Sequence, residues 1–518
     1  MQPRNVNIHP SSYHPSSLAE TEFDVIFIGS GPVANYGAAR LARTGLSILV
    51  VEAELYGGDC PFWACVPSKA LLRPIEALAA AKAVDGAKER TAKKVDVDAV
   101  FARRDRFVLN WDDQFIVGLA TGNGVTIVRG WGRVEKTKRV SVQPYGEETH
   151  FHFEAKHAVV LATGSESAVP KIKGLNSLEV GTERWDPRHA TSANHVPDHL
   201  IILGAGAVGT ESATTYSGLG GKVTLISAAV EIMPGIEPHA AEMVRKELMA
   251  SGVDIRLAAF ATEVKRYDKG PDHLEVVLST GESVRGGTIL VATGRRAKTA
   301  DIGLEKLSLS QHFKPGFPAP TNDSLCVETT DGEEWLYAVG DTNGRNMTTH
   351  SGVYHARIAS NAILTRLQGT LSKSELEKLT FKNDFSETKL QSEPHSIPKT
   401  LFTSPSVATV GHSLSSALNQ GINAEQVSVD FSFPGAPFPG AWLWADGEFG
   451  QGWASWIIDV DKQILIGATY VGHQIEELLV PATFAVGNKI PMKKLVHVVP
   501  CFPTRGEVWR FLLEQAGY

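Results

Sequence analysis

The chain has 518 residues, 43% apolar and 21% charged, the make-up of an ordinary globular protein with room for about three domains. A net charge of −7 gives no reason to expect nucleic acid or an anionic membrane as partner, and no run of about 18 apolar residues could span a bilayer. Four cysteines, at 60, 65, 326 and 501, cannot staple a chain of this length, which excludes a disulfide scaffold.

Residues 1–22 are rich in Ser, His and Pro, carry one Arg and lack an apolar stretch. They resemble neither a signal peptide nor an amphipathic transit peptide, so a disordered N-terminal arm and a cytoplasmic location are expected. From Phe23 the pattern becomes strand (Phe23–Ile28), Gly-rich turn, helix and second strand ending at Glu52, one βαβ unit. In the turn Gly29-Ser-Gly31-Pro32-Val-Ala34, the first Gly permits a tight bend and the second lets a diphosphate approach the backbone. The third position needs only a small residue. The helix N-terminus offers donors and partial positive charge, and Glu52 stands where a carboxylate accepts ribose hydroxyls. Such a turn alone could be structural; with strand, helix and acid in register it predicts a dinucleotide site.

Next comes GGDCPFWACVPSK, with Gly58, Cys60, Cys65 and Lys69. An Ala/Leu-rich run follows, which predicts Cys65 at a helix N-terminus, where a thiolate is favoured. Three readings are open: a redox pair, two inert buried thiols, or zinc. Zinc lacks a Cys-x-x-Cys or a neighbouring His to complete a ligand set, and no metal site is expected.

Two later apolar strands run into Ala-Thr-Gly: one carries Thr163, Gly164 and Ser165, the other Gly294. Between them, Gly204-Ala-Gly206-Ala-Val208-Gly209 repeats the dinucleotide turn about 175 residues after the first, implying two nucleotide-binding domains. Its ribose position is Ser227, which removes the repulsion of a 2′-phosphate and favours NADPH over NADH. No Arg follows in Ser227–Glu231, however, and Glu231 opposes a phosphate; a decayed, empty site is the bland alternative. Polar Gln368–Pro398 reads as a linker, and the remainder as a strand-rich α+β domain.

Taken in order, GSGPVA with Glu52, GGDCPFWACVPSK, ATGS, GAGAVGTE, ATGRR, LYAVGD, LFTSPSVATVG and FPTRGE resemble the class I pyridine nucleotide–disulfide oxidoreductases, from about Phe23 to Glu507. The resemblance implies an α/β fold with two Rossmann-like domains and a C-terminal α+β dimerisation domain. The division expected is FAD-binding 23–195 and 297–367, NAD(P)-binding 196–296, linker 368–398 and interface 399–518. It implies FAD in the first site and NAD(P)H in the second, a homodimer, and a small-molecule substrate. Gly29, Gly31, Pro32, Ala34, Glu52, Gly58, Gly132, Thr163, Gly164, Ser165 and Asp341 would hold FAD, with Met347, Thr348, Thr349 and His350 along the flavin. Gly204, Gly206, Val208, Gly209 and Gly294 would serve the nicotinamide cofactor. Cys65 would face the flavin and Cys60 the substrate, while Lys69 and Glu211 would pair beside the flavin.

Two departures stand out. The family's C-terminal His-Pro-Thr-x-x-Glu reads Phe502-Pro-Thr-Arg-Gly-Glu507 here. Phe502 cannot move a proton, and general acid–base catalysis is worth about 10²–10⁴-fold. The acceptor is therefore either a disulfide-type substrate or another species such as a quinone, a metal ion, oxygen or a specialised metabolite. His497 is a poor substitute, and Cys501 is expected to be buried rather than a third thiol. Between the cysteines, Phe62 and Trp63 replace the usual small or polar residues and either flank the substrate entrance or pack inward.

Overall fold

The computed structural model describes residues 6–91, 94–267, 270–380, 386–392, 395–432 and 452–518. Six strands, β1 (Glu22–Ile28), β2 (Ile48–Glu52), β3 (Val125–Arg129), β4 (Trp131–Lys136), β5 (Arg139–Gln143) and β6 (Phe151–Leu161), form one sheet in the order β3-β2-β1-β6-β5-β4, with Leu336–Ala338 parallel to β6. Strands β1, β2 and β3 are parallel, and their near-continuous apolar runs suit strands covered on both faces. Helix α1 (Pro32–Ala42) starts with Pro at its first position, where no intrahelical donor is required. Its Ala34, Ala38 and Leu41 bury against Val25, Phe27, Ile48 and Val50.

Helix α2 (Asp59–Phe62) and helix α3 (Cys65–Lys82) carry the cysteine segment. Pro67 falls in the first turn of α3, so its missing N–H is one the helix leaves unpaired anyway.

The second nucleotide domain repeats the design. After α4 (Pro187–Ser192) come β7 (His199–Leu203), α5 (Ala207–Gly218) and β8 (Lys222–Ile226). Its parallel sheet runs Asp254–Arg256, β8, β7, Thr288–Val291, Arg184–Trp185. Helix α6 (Thr349–Thr370) then returns to the first domain, burying Ile358, Ile363 and Leu364 in the same core as α1.

The third domain is a five-stranded antiparallel sheet whose two faces have different partners. Alternation along Gly452–Asp459 sends Ala454, Trp456 and Ile458 toward helices Leu479–Gly487 and Val508–Gln515. Trp453, with Val407 and Val471 from neighbouring strands, joins instead the buried cluster of the second nucleotide domain, its ring 4.8 Å from that of His239 on helix Pro238–Ala250.

Two sequence expectations are corrected. Residues 6–22 are docked, not disordered: His9 Nδ1 lies 2.8 Å from the Ala53 carbonyl, the Arg129 N–H donates to Tyr13 O at 2.9 Å, and Pro15 is buried. Val6 and Ile8 pack beside Leu55 and Trp111. A polar average composition hides these few well-placed apolar residues; residues 1–5 lie outside the described residues. The expected linker also begins too early. Helix α6 runs to Thr370, a capping box from Ser372 and Glu375 starts another turn, and Leu379 and Leu390 pack on the first core. Positions 381–385 and 393–394 of that segment lie outside the described residues.

Candidate active site

The glycine turns are built by one repeated contact. Gly29 has φ +101°, and a Cβ on it would sit 2.3 Å from Ala162 O; Gly204 has φ +107°, and its Cβ would sit 2.4 Å from Ala292 O. Each alanine belongs to an Ala-Thr-Gly segment, so those segments buttress the two turns. At Gly31 and Gly206, by contrast, a Cβ would meet nothing within 4 Å, leaving open space for a ligand. Gly29→Ala is therefore expected to cost at least about 2 kcal/mol, since it combines a left-handed φ with a backbone clash. A lowered Tm checks it.

In the first domain the open space continues into a long groove. Gly29, Gly31, Pro32, Glu52, Gly58, Gly132, Thr163, Gly164, Ser165 and Asp341 line it, and Cys60 and Thr349 lie within the same lining. Glu52 is oriented by the N–H and hydroxyl of Ser30, both donating to Oε2 at 2.9 and 2.6 Å. Ala34 lies fully buried under the turn. Of the segment 347–350 only Thr349 lines the groove; His350 instead places Nε2 2.7 Å from Pro398 O. A cradle that Gly31 keeps open, continuous with a groove reaching Cys60, fits a dinucleotide carrying a ring system.

Cys60 and Cys65 form a disulfide with Cα atoms 4.7 Å apart, Cys60 on α2 and Cys65 opening α3. The Thr349 hydroxyl, at the start of α6, lies 3.4 Å from Cys65 Sγ and 3.5 Å from Cys60 Sγ. Lys69, one turn into α3, places Nζ 2.7 Å from Glu211 Oε2 on α5. The Phe402 N–H donates to the other oxygen of Glu211 at 3.0 Å, and the Phe402 ring lies 4.5 Å from Lys69 Nζ. Phe62 and Trp63 pack inward with Trp111, whose indole N–H donates to Phe62 O, which decides between the two readings of these aromatics.

An ionic chain borders the disulfide. Arg188 on α4 reaches Asp59 Oδ1 through Nε (3.0 Å) and Nη2 (2.6 Å), and Glu54 Oε2 through Nη2 (2.8 Å). Arg295 Nη2 reaches Asp59 Oδ2 at 2.8 Å, and its Nε donates to Ser165 Oγ at 2.7 Å; Ser165 in turn donates to Asp341. Burial works against charge on Glu54 and Arg188. Attraction between them, reinforced for Arg188 by Asp59, prevails and holds the carboxyl below and the guanidinium above their ordinary values.

In the second site a Cβ on Gly209 would fall 1.9 Å from Gly204 O, so this helix lies tight against its turn. Val208 stands in the first turn of α5, and Gly294 opens the segment after its Ala-Thr-Gly strand. Ser227 is buried; its N–H donates to Arg256 O and its hydroxyl accepts the Ala229 N–H. Arg256 is thus the basic neighbour missing from Ser227–Glu231, supplied by the adjacent strand. Its guanidinium is engaged by Asp254 and Glu282.

Near the C-terminus, Phe502 is 73% exposed, and Cys501 and His497 are exposed as well. The expectation of a buried Cys501 is therefore corrected. Glu507 is buried, with Oε2 unpartnered among the described residues. Arg505, also buried, donates to His473 O, and burial, with Arg505 beside it, pushes His473 down to about 3. Burial raises the Cys326 thiol to about 12, which marks it as inert. No group of three or more His, Cys, Asp or Glu could hold a metal among the described residues, and no helix there is long and apolar enough to cross a membrane. Sequence reading missed Asp59, Arg188, Arg295, Arg256 and Phe402. Aspartate directly before Cys60 was the one visible signal.

Comparison with known proteins agrees with this geometry. The family model described as pyridine nucleotide-disulphide oxidoreductase matches residues 23–356, and the dimerisation domain of the same name matches 397–512. Dihydrolipoyl dehydrogenase of Thermus scotoductus is 29% identical over 496 residues, covering 94% of this chain and 95% of the relative. That of Haloferax volcanii is 27% identical over 500 residues, covering 94% of each. Among solved structures, a Cu(II) complex of the HOCl-induced flavoprotein disulfide reductase RclA from Escherichia coli superposes with TM-score 0.76 at 19% identity, covering 95% of this chain and 99% of that one. LpdA from Mycobacterium tuberculosis gives 0.77 at 21%, covering 96% and 99%.

Proposed function

The chain belongs to the pyridine nucleotide-disulphide oxidoreductase family, and from that premise we propose that it passes electrons from NAD(P)H through FAD to the Cys60–Cys65 pair and on to a disulfide-type substrate. The observation that carries this is the disulfide lining the same groove as the first glycine turn. FAD, when bound, would supply the two-electron redox chemistry that links the nicotinamide to the sulfur pair. The chain's own residues do the rest. The backbone at Gly29 to Val33 binds the diphosphate, Glu52 the ribose and Asp341 the middle of the cofactor. Cys65, at a helix N-terminus, is held as thiolate once the disulfide opens, and the Thr349 hydroxyl donates to it. Cys60 is then the thiol that meets substrate. The second glycine turn takes the nicotinamide cofactor, with NADPH favoured by Ser227. The protein works as a cytoplasmic homodimer through its third domain.

Lys69 offers a fixed positive charge next to the flavin, kept in place by Glu211. Its side chain is 36% exposed, so solvent weakens the effect. Lys69→Ala is expected to slow NAD(P)H-driven reduction about tenfold, measured by stopped-flow bleaching of the yellow colour.

A second reading replaces the disulfide substrate by another acceptor, and the aromatic at Phe502 favours it. Anaerobic titration with NADPH and with NADH tests the choice. Uptake of about four electrons per subunit, with a long-wavelength thiolate–flavin band midway, supports participation of the cysteines. Uptake of about two, with no band, rejects it.

A further inference from the structure

The groove is acidic where an anion must lie. Four carboxylates line it against three basic side chains, Arg188, Arg295 and Lys298. A cofactor diphosphate would add about two further negative charges there. Asp59 sharpens the problem, because it places a carboxylate directly before Cys60. Arg188 answers it. It comes from α4, in the segment leading to the second nucleotide domain, and reaches across to Glu54 after β2 and to Asp59 at the start of α2. It spends Nε and Nη2 on those two carboxylates, leaving Nη1 as the guanidinium nitrogen with no acceptor among the described residues. Arg295 is arranged alike: Nε and Nη2 are engaged by Ser165 and Asp59, and Nη1 has no acceptor there. A fork with two nitrogens fixed by carboxylates and a third in reserve is preorganised for an oxyanion.

We infer that Arg188, steadied by Glu54 and Asp59, binds the diphosphate of the dinucleotide in the first pocket and so supplies a positive contact from beyond the glycine turn. This rests on the flavin reading given above. The contact differs in kind from that turn, which offers only backbone donors. Arg188 thereby ties cofactor retention to the position of the Cys60 segment, since one guanidinium serves both.

The test is FAD binding to protein stripped of flavin, followed by quenching of FAD fluorescence at several salt concentrations. Failure of the unsubstituted protein to bind FAD would remove the flavin reading itself. If that protein binds, Arg188→Ala is expected to raise Kd about tenfold at low salt and to flatten its salt dependence. Arg188→Gln, which keeps a side-chain amide beside Asp59 without the charge, is expected to weaken FAD binding about as much as Arg188→Ala. Arg188→Lys should recover part of the loss, because it keeps the charge without the planar fork. A change in Kd below about fivefold for Arg188→Ala, an undiminished salt dependence, or Arg188→Lys binding no tighter than Arg188→Gln would overturn the assignment. Equal binding by the Lys and Gln variants is what a merely structural contact gives. Should Arg188→Ala fail to fold, Arg188→Lys and Arg188→Gln decide the matter by the charge that alone separates them.

Discussion

A Cys60→Ser variant is expected to lose reduction of small disulfides by at least about 10³-fold while still binding FAD and still being bleached by NAD(P)H. Exchange proceeds by thiolate attack on a substrate sulfur, giving a mixed disulfide that the second thiol resolves. A serine hydroxyl can neither attack nor be resolved, so the route closes and is not merely slowed. Cys65 remains as a free thiol at the start of α3 beside the Thr349 hydroxyl, and a thiolate–flavin band should then be visible without prior reduction. Cys65→Ser should lose that band. Steady-state assays with lipoamide, glutathione disulfide and a quinone read the outcome. Disulfide turnover surviving in Cys60→Ser would sink the proposed route, whereas quinone turnover surviving alone is what the route predicts.

Phe502→His is the second large effect, and its sign is a gain. Lipoamide or glutathione disulfide reduction should rise by at least about tenfold, with about 10²–10⁴-fold as the range that a well-placed acid–base group supplies. Glu507 bears on the outcome. Its carboxylate is buried five residues on, with one oxygen unpartnered among the described residues and so able to accept a donor. Phe502 itself is mostly exposed, so no core of its own chain is disturbed by replacing it. Plots of kcat/KM against pH should acquire a limb near ~6.5, the ordinary range of His. An unchanged rate and a flat profile would contradict the missing-base account and strengthen the case for a different acceptor.

Much of this architecture was legible because its signals are local. Gly29 and Gly204 announce themselves by spacing, since a left-handed turn at the end of an apolar strand has few other uses. Cys65 at a helix start follows from the Ala/Leu run behind it, and the pairing of Lys69 with Glu211 followed from the family pattern. What escaped depends on contacts between distant segments. Arg188 and Asp59 stand 129 positions apart, and nothing in either neighbourhood names the other. Arg256 reaches the Ser227 position only through strand pairing. The inward turn of Phe62 and Trp63 needed Trp111 as a partner. The docked stretch from Val6 to Pro15 was concealed by polar neighbours.

The last sheet, with Trp456 turned toward its own helices and Trp453 toward another domain's interior, bears on how the molecule comes apart. Severing the chain ahead of Lys399 would strip the cover from helix Pro238–Ala250 at His239 while leaving Trp453 and Val471 with nowhere dry to go. The third unit is thus a lid as well as an interface, and calorimetry should record the two melting as a single cooperative event.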